Sequence, residues 1–184
     1  PPDRGDKIRS FHILKKLQTM APVHVGAFAD DARDMECAEA ERAGLASLQV
    51  ELRDKPGWFS GIEALASGKP VSLTAFGSKA TQDWVDERLA SGAISHVFVF
   101  SGQMAQYVPA GFDGRFVMDF VDVDSAKFES YAEDGNALMR WVYQREGKKL
   151  SGFETEIAQR ADASLFVSEA EALLFRQRSG AANV

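Results

Sequence analysis

Two aspartates one residue apart, Asp122 and Asp124, are the residues of this chain whose types and spacing could most directly do chemistry. Carboxylates so placed can both reach a hard divalent cation. An aspartate there can also take a proton from a hydroxyl or attack a phosphoryl group. Their neighbours decide where they stand. Phe116, Val117, Met118, Phe120, Val121 and Val123 make a nearly continuous apolar run, the pattern of a strand buried on both faces of a parallel sheet. The two acids then fall where strand gives way to loop, and Ser125 is placed to cap the next helix. In open α/β sheets ligands bind outside the carboxyl ends of the strands, so a site is expected here. The same acids could instead bond the amides of a turn, as Asx residues do.

A second group is cationic. Arg4, Lys7 and Arg9 gather around Gly5 where a helix should begin, and a helix start favours anions through its free N–H groups and its dipole. A phosphate or diphosphate contact is one reading, although neither GxGxxG nor GxxxxGK[ST] is present. Other chemistries find no support. His12, His24 and His96 are scattered without HExxH or paired cysteines, and there is no GxSxG elbow. By residue type, Asp122-Val123-Asp124 matches the DxD with which some glycosyltransferases hold a metal and a nucleotide sugar. It equally matches the strand-end DxD of haloacid-dehalogenase-type phosphatases, where the first aspartate is the nucleophile.

The elements that must position these residues alternate. Strands are expected at 23–29, 47–52, 94–101, 116–123 and 163–168, and helices at 6–20, 34–44, 55–67, 78–90, 136–160 and 169–178. Residues 72–76 read as a short strand or an extended lead into the next helix. Asp6 is a candidate N-cap for the first helix, which carries Ile8, Phe11, Leu14 and Leu17 at helical spacing. Such alternation predicts an α/β fold, a Rossmann-like parallel sheet with helices on both faces. Four of the strands (23–29, 94–101, 116–123 and 164–167) are expected as parallel neighbours in one sheet. The chain opens on a loop and a helix with no strand before them, which suggests that a first strand is missing.

In the 136–160 helix, Leu138, Val142, Leu150, Phe153 and Ile157 form the apolar row, and Glu146 falls into it. A glutamate on an apolar face must be paired, so a partner-satisfied residue is the expected reading there and a functional one the alternative. Arg140, Arg145, Lys148 and Lys149 lie beside Trp141 and Tyr143, a pattern that can rest on a membrane surface or simply face water. With 184 residues, 45% hydrophobic and 26% charged, the chain is long enough for one core without staples. A net charge of −6 argues against nucleic acid or anionic surfaces as general partners. The single cysteine, Cys37, fits a reducing compartment. No apolar run approaches the roughly 20 residues of a spanning helix, and no signal peptide is read, so a cytoplasmic protein is expected.

Five stretches taken in order carry a resemblance: PPDRGDKIRSFHILKKL, FVFSGQMAQYV, VMDFVDVDSAKF, MRWVYQREGKKL with a later FE, and DASLFVSEAEALLF. Together they resemble the GT-B, family 4-like sugar transferases found with bacterial exopolysaccharide and PEP-CTERM sorting systems. The resemblance spans nearly the whole chain but only the amino-terminal half of such an enzyme. It implies a single acceptor-side domain over 1–184, with a first strand before it and a Rossmann-like donor domain after it. It further implies catalysis without a bound metal or cofactor, a nucleotide-sugar donor, and a glycan or polyprenyl-linked acceptor, hence peripheral contact with the inner membrane. Arg4, Gly5, Asp6 and Lys7 match the family's first βα loop near the donor phosphates. Asp122, the expected acceptor-orienting residue or base, matches a strand-end position facing the cleft, as do Gln103 and Ser168, and Asp124 joins them as a substrate contact. The glycine pair common in that first loop is absent, since Asp6 follows Gly5. Alone, the 184-residue chain is expected to be inactive. The rival readings are a DxD phosphohydrolase and a non-catalytic Rossmann-like binding module.

Overall fold

The computed structural model describes residues 5–134 and 136–184. In chain order these form α1 (Gly5–Gln18), β1 (His24–Ala29), α2 (Ala32–Glu41), β2 (Ser47–Leu52), α3 (Gly57–Ser67), α4 (Val71–Ala75) and α5 (Lys79–Ala90). There follow β3 (His96–Phe100), a 3-10 helix (Gly102–Tyr107), β4 (Arg115–Val121), α6 (Asp124–Asp134), α7 (Ala137–Arg160), β5 (Ala163–Phe166) and α8 (Glu169–Ser179). The fold is Rossmann-like α/β, with parallel strands flanked by helices. The chain divides into two compact units, one running to Lys55 and including Ser78–Glu87, the other made of Pro56–Gly77 and Arg88–Val184.

In the first unit β1 and β2 pair in parallel, from His24 opposite Ser47 to Ala29 opposite Leu52. Trp84 of α5 packs so closely on β1 that a Cβ at Gly26 would stand 3.1 Å from its ring, and the glycine leaves room for that approach. The Glu51 carboxylate accepts from the hydroxyls of Ser78 and Thr81, while Ser78 caps α5 by accepting from the Thr81 N–H. Asp6 was expected to cap α1, but the helix already begins at Gly5 and Asp6 lies inside its first turn.

The second unit holds the sheet β3-β4-β5, parallel throughout. The expectation of four parallel neighbours is corrected here, because β1 hydrogen-bonds β2 and none of these three. β4 is the central strand, and Phe116, Met118 and Phe120 are buried. Phe120, Phe166 and Phe175 pack as a trio with ring centroids 4.8 to 5.4 Å apart. Ile157 and Ala158 of α7 close that core.

Two other expectations are corrected. Residues 72–76 are helical rather than extended: α4 starts after Pro70, and Glu146 bonds the N–H groups of Val71 and Ser72 at its first turn. Ser125 lies inside α6 and not at its cap, since the helix begins at Asp124. α6 and α7 form an antiparallel hairpin. Ser125 meets Glu154, while Phe128 and Tyr131 meet Tyr143. At Gly147 a Cβ would stand 3.2 Å from the Ser125 carbonyl, a tight contact that glycine avoids. Residues 137–146 therefore continue past the carboxyl end of the sheet by about 15 Å at helical rise. Leu138, expected in the apolar row, is 71% exposed for that reason, whereas Leu150 and Ile157 are buried. Among the described residues no helix is long and apolar enough to cross a membrane.

Candidate functional site at the carboxyl edge of the β3-β4-β5 sheet

The site grows out of an irregularity in β4. Asp119 interrupts the apolar run and is fully buried, with one carboxylate oxygen accepting from the Val121 N–H at 3.1 Å. Its carbonyl accepts from the Ser101 N–H at 2.8 Å. Beyond it the ladder slips between Asp119 and Val121. The Asp122 N–H then bonds the Phe120 carbonyl at 2.9 Å across Val121, whose φ is +72°. This is the rare γ-turn of positive φ, built on a β-branched residue for which that region is an outlier. Ser101, ending β3, has φ +74°. Among the described residues these are the two non-glycines with positive φ, and they end neighbouring strands. Such backbone costs about 1–3 kcal/mol per residue and collects at functional sites.

The turn delivers Asp122 to the sheet edge, half-buried. Lys127, in the first turn of α6, donates to Asp122 at 2.8 Å and to Asp124 at 3.1 Å. Burial pulls the Lys127 ammonium down, but the two carboxylates outweigh it and hold its pKa above the ordinary lysine value. One lysine thus bridges the DxD pair and offsets one of its two charges. Among the described residues no group of three or more His, Cys, Asp or Glu side chains is arranged to hold a metal ion.

Gln103 and Ser168 lie at the same edge, at the ends of β3 and β5. The Ser101 hydroxyl donates to Gln103 Oε1 at 2.7 Å, which leaves the Gln103 amide N–H groups without a partner among the described residues. Ser168 is the N-cap of α8 and accepts from the Glu171 N–H. Glu171 does not close a capping box with Ser168. It reaches across and accepts from the Val123 N–H at 2.7 Å, fixing the loop that carries Asp122 and Asp124.

The residues expected as the first βα loop belong to the other unit. Arg4 lies outside the described residues, while Gly5 and Asp6 are in the first turn of α1. Lys7 forms an ion pair with Asp34 at 2.6 Å, so a phosphate there competes with Asp34.

Asp119, Val121, Ser101, Glu154 and Glu171 were given no site role from sequence. Asp119 left a signal, as the one charge inside the FVMDFV run, and Glu171 left another, three residues after the Ser168 cap. Glu154 left none. It is 4% exposed in α7 and accepts from the Ser125 N–H at 3.0 Å and hydroxyl at 2.6 Å. Burial pushes its pKa up to about 7 against the pull of the Ser125 hydrogen bonds, and the nearby Asp124 charge pushes it the same way while Arg178 opposes. The folded chain therefore holds this proton more tightly than the unfolded one. The resulting stability is full below the unfolded value near 4.5 and is lost as pH rises through 7. Urea midpoints should show wild type losing about 2.5 kcal/mol more than Glu154→Gln between pH 5 and pH 8. Parallel pH profiles for the two proteins would contradict this.

No family model matches the chain, and no curated protein or solved structure matches it either.

Proposed function

We propose that this chain is the acceptor-side part of a glycosyltransferase that moves a sugar from a nucleotide-activated donor to a glycan or lipid-linked acceptor in exopolysaccharide synthesis. The carrying observation is that the two strained non-glycine residues, Ser101 and Val121, end adjacent strands at the edge where Asp122 stands. Strain held by a buried aspartate and a cross-bridging glutamate aims one carboxylate at the place where α/β sheets bind ligands. In this reading Asp122 orients the acceptor hydroxyl and takes its proton, while Asp124 and Lys127 keep that carboxylate in place. The free Gln103 amide donates to sugar or phosphate oxygens, and Ser168 shapes the loop as the cap of α8. Arg4 and Lys7 meet donor charge, which builds on the leaving diphosphate during transfer. The order of the five resembling stretches along the chain supports the same reading.

The chemistry asked of Asp122 is proton transfer, for which Lys127 already holds the acidic pair. Transfer by the full polypeptide carrying this chain, assayed with a panel of nucleotide sugars and a lipid-linked acceptor extract, should therefore persist in EDTA. Loss of all transfer in EDTA, with tight binding of one Mg²⁺ or Mn²⁺ that Asp122→Asn abolishes, would overturn this reading in favour of metal-dependent DxD chemistry.

A further inference from the structure

α3 is built inside out. Its buried positions are Ser60 and Ala64, while Trp58, Phe59, Ile62 and Leu65 are 69%, 48%, 59% and 59% exposed. On a helix Trp58, Ile62 and Leu65 fall on one line, and Phe59 widens it. Four large apolar side chains on one exposed face form a patch that a soluble surface rarely carries without a partner. The helix is firmly seated from behind. Arg145 donates to the Ala64 carbonyl at 2.8 Å and to the Lys69 carbonyl at 3.1 Å, and Thr74 donates to the Ser60 carbonyl. The exposed face is therefore not the loose side of a frayed element.

The charge at its carboxyl end is mainly cationic. One turn after Leu65 the chain reaches Lys69, which together with Lys148, Lys149 and Arg160 lines a groove of about 520 Å³. Lys69, Lys148 and Lys149 have no anionic partner among the described residues, and Glu156 is the sole acid lining that groove. In a chain with net charge −6, unneutralised lysines in a groove that starts at Gly68, the carboxyl end of the helix bearing this apolar face, complement a surface that is apolar below and anionic above. We propose that α3 is an interfacial helix that docks on an anionic phospholipid surface, its Trp58, Ile62 and Leu65 entering the acyl boundary and Lys69, Lys148 and Lys149 meeting the headgroup phosphates. The proposal stands without the transferase reading, because it rests on a different face of the second unit and its test measures no transfer.

The experiment is flotation of the 184-residue chain with vesicles of phosphatidylcholine alone or with phosphatidylglycerol added, at low salt, coupled to quenching of tryptophan fluorescence by brominated lipid. The chain should float with the anionic vesicles and not with the neutral ones. Ile62→Glu should reduce flotation at least about tenfold through the apolar area lost, and Lys148→Glu or Lys149→Glu about fivefold each. Quenching should survive Trp141→Phe and disappear in Trp58→Phe, which separates α3 from the aromatic stretch of α7. All these side chains are exposed, and unchanged thermal unfolding of the variants confirms that they fold. Wild type left unbound beneath anionic vesicles, Ile62→Glu floating like wild type, or a dimer in solution that Ile62→Glu dissociates without any flotation would each overturn the proposal.

Discussion

Glu146→Ala should lower the unfolding free energy of the second unit by about 3 kcal/mol, measured from urea midpoints. Glu146 is 2% exposed, and its carboxylate accepts from the Val71 N–H at 2.7 Å, the Ser72 N–H at 2.8 Å and the Ser72 hydroxyl at 2.7 Å. It acts as an N-cap borrowed from another helix, with a negative charge at the positive end of α4. Removing it strands two half-buried backbone donors, each costing up to about 1–3 kcal/mol, although the Ser72 hydroxyl can turn away. The neighbouring Arg145 bonds to the end of α3 remain, so loss should be concentrated at α4. Amide exchange at Val71 and Ser72 should accelerate more than at any position in β4. A loss under 1 kcal/mol would show that α4 is held by its apolar contacts instead.

That result bears on what the sequence made legible. Periodicity was enough to find β2 at 47–52 and the α3 stop at Gly68, where a left-handed φ of +71° ends the helix. It found α8 as well, at 169–178 against the observed Glu169–Ser179. It misread 72–76 because the residue that makes them helical, Glu146, is far away in the chain. The same gap explains the sheet. Apolar runs identify strands, but hydrogen bonding decides partners, and β1 turns to β2. At the site, Asp122 and Asp124 were visible as acids after an apolar run, and a site was weighed against a turn. The structure shows a turn that also presents the acids, since Asp122 donates its own N–H to the γ-turn while its side chain meets Lys127. Positive φ at Ser101 and Val121 could not be read at all, because neither residue type favours it. It is imposed by the buried Asp119 and by the Glu171 bridge, contacts that exist only in three dimensions.

The measurement that bears most directly on the central claim is the steady-state kinetics of Asp122→Asn in the full polypeptide carrying this chain, with nucleotide sugar and acceptor both varied. Asparagine keeps the size and one acceptor oxygen, so the Val121 turn and the Lys127 contact can persist, while the capacity to take a proton is lost. General base catalysis is worth about 10²–10⁴-fold. The account therefore predicts that kcat falls at least about 100-fold with KM for the acceptor changed by less than about threefold, the pattern of an interaction made in the transition state. Asp124→Asn, one residue on and sharing the same lysine, should lower kcat far less. An Asp122→Asn enzyme with wild-type kcat, or one whose only defect is a raised KM, would contradict the assignment of Asp122 as the base at the carboxyl edge of this sheet.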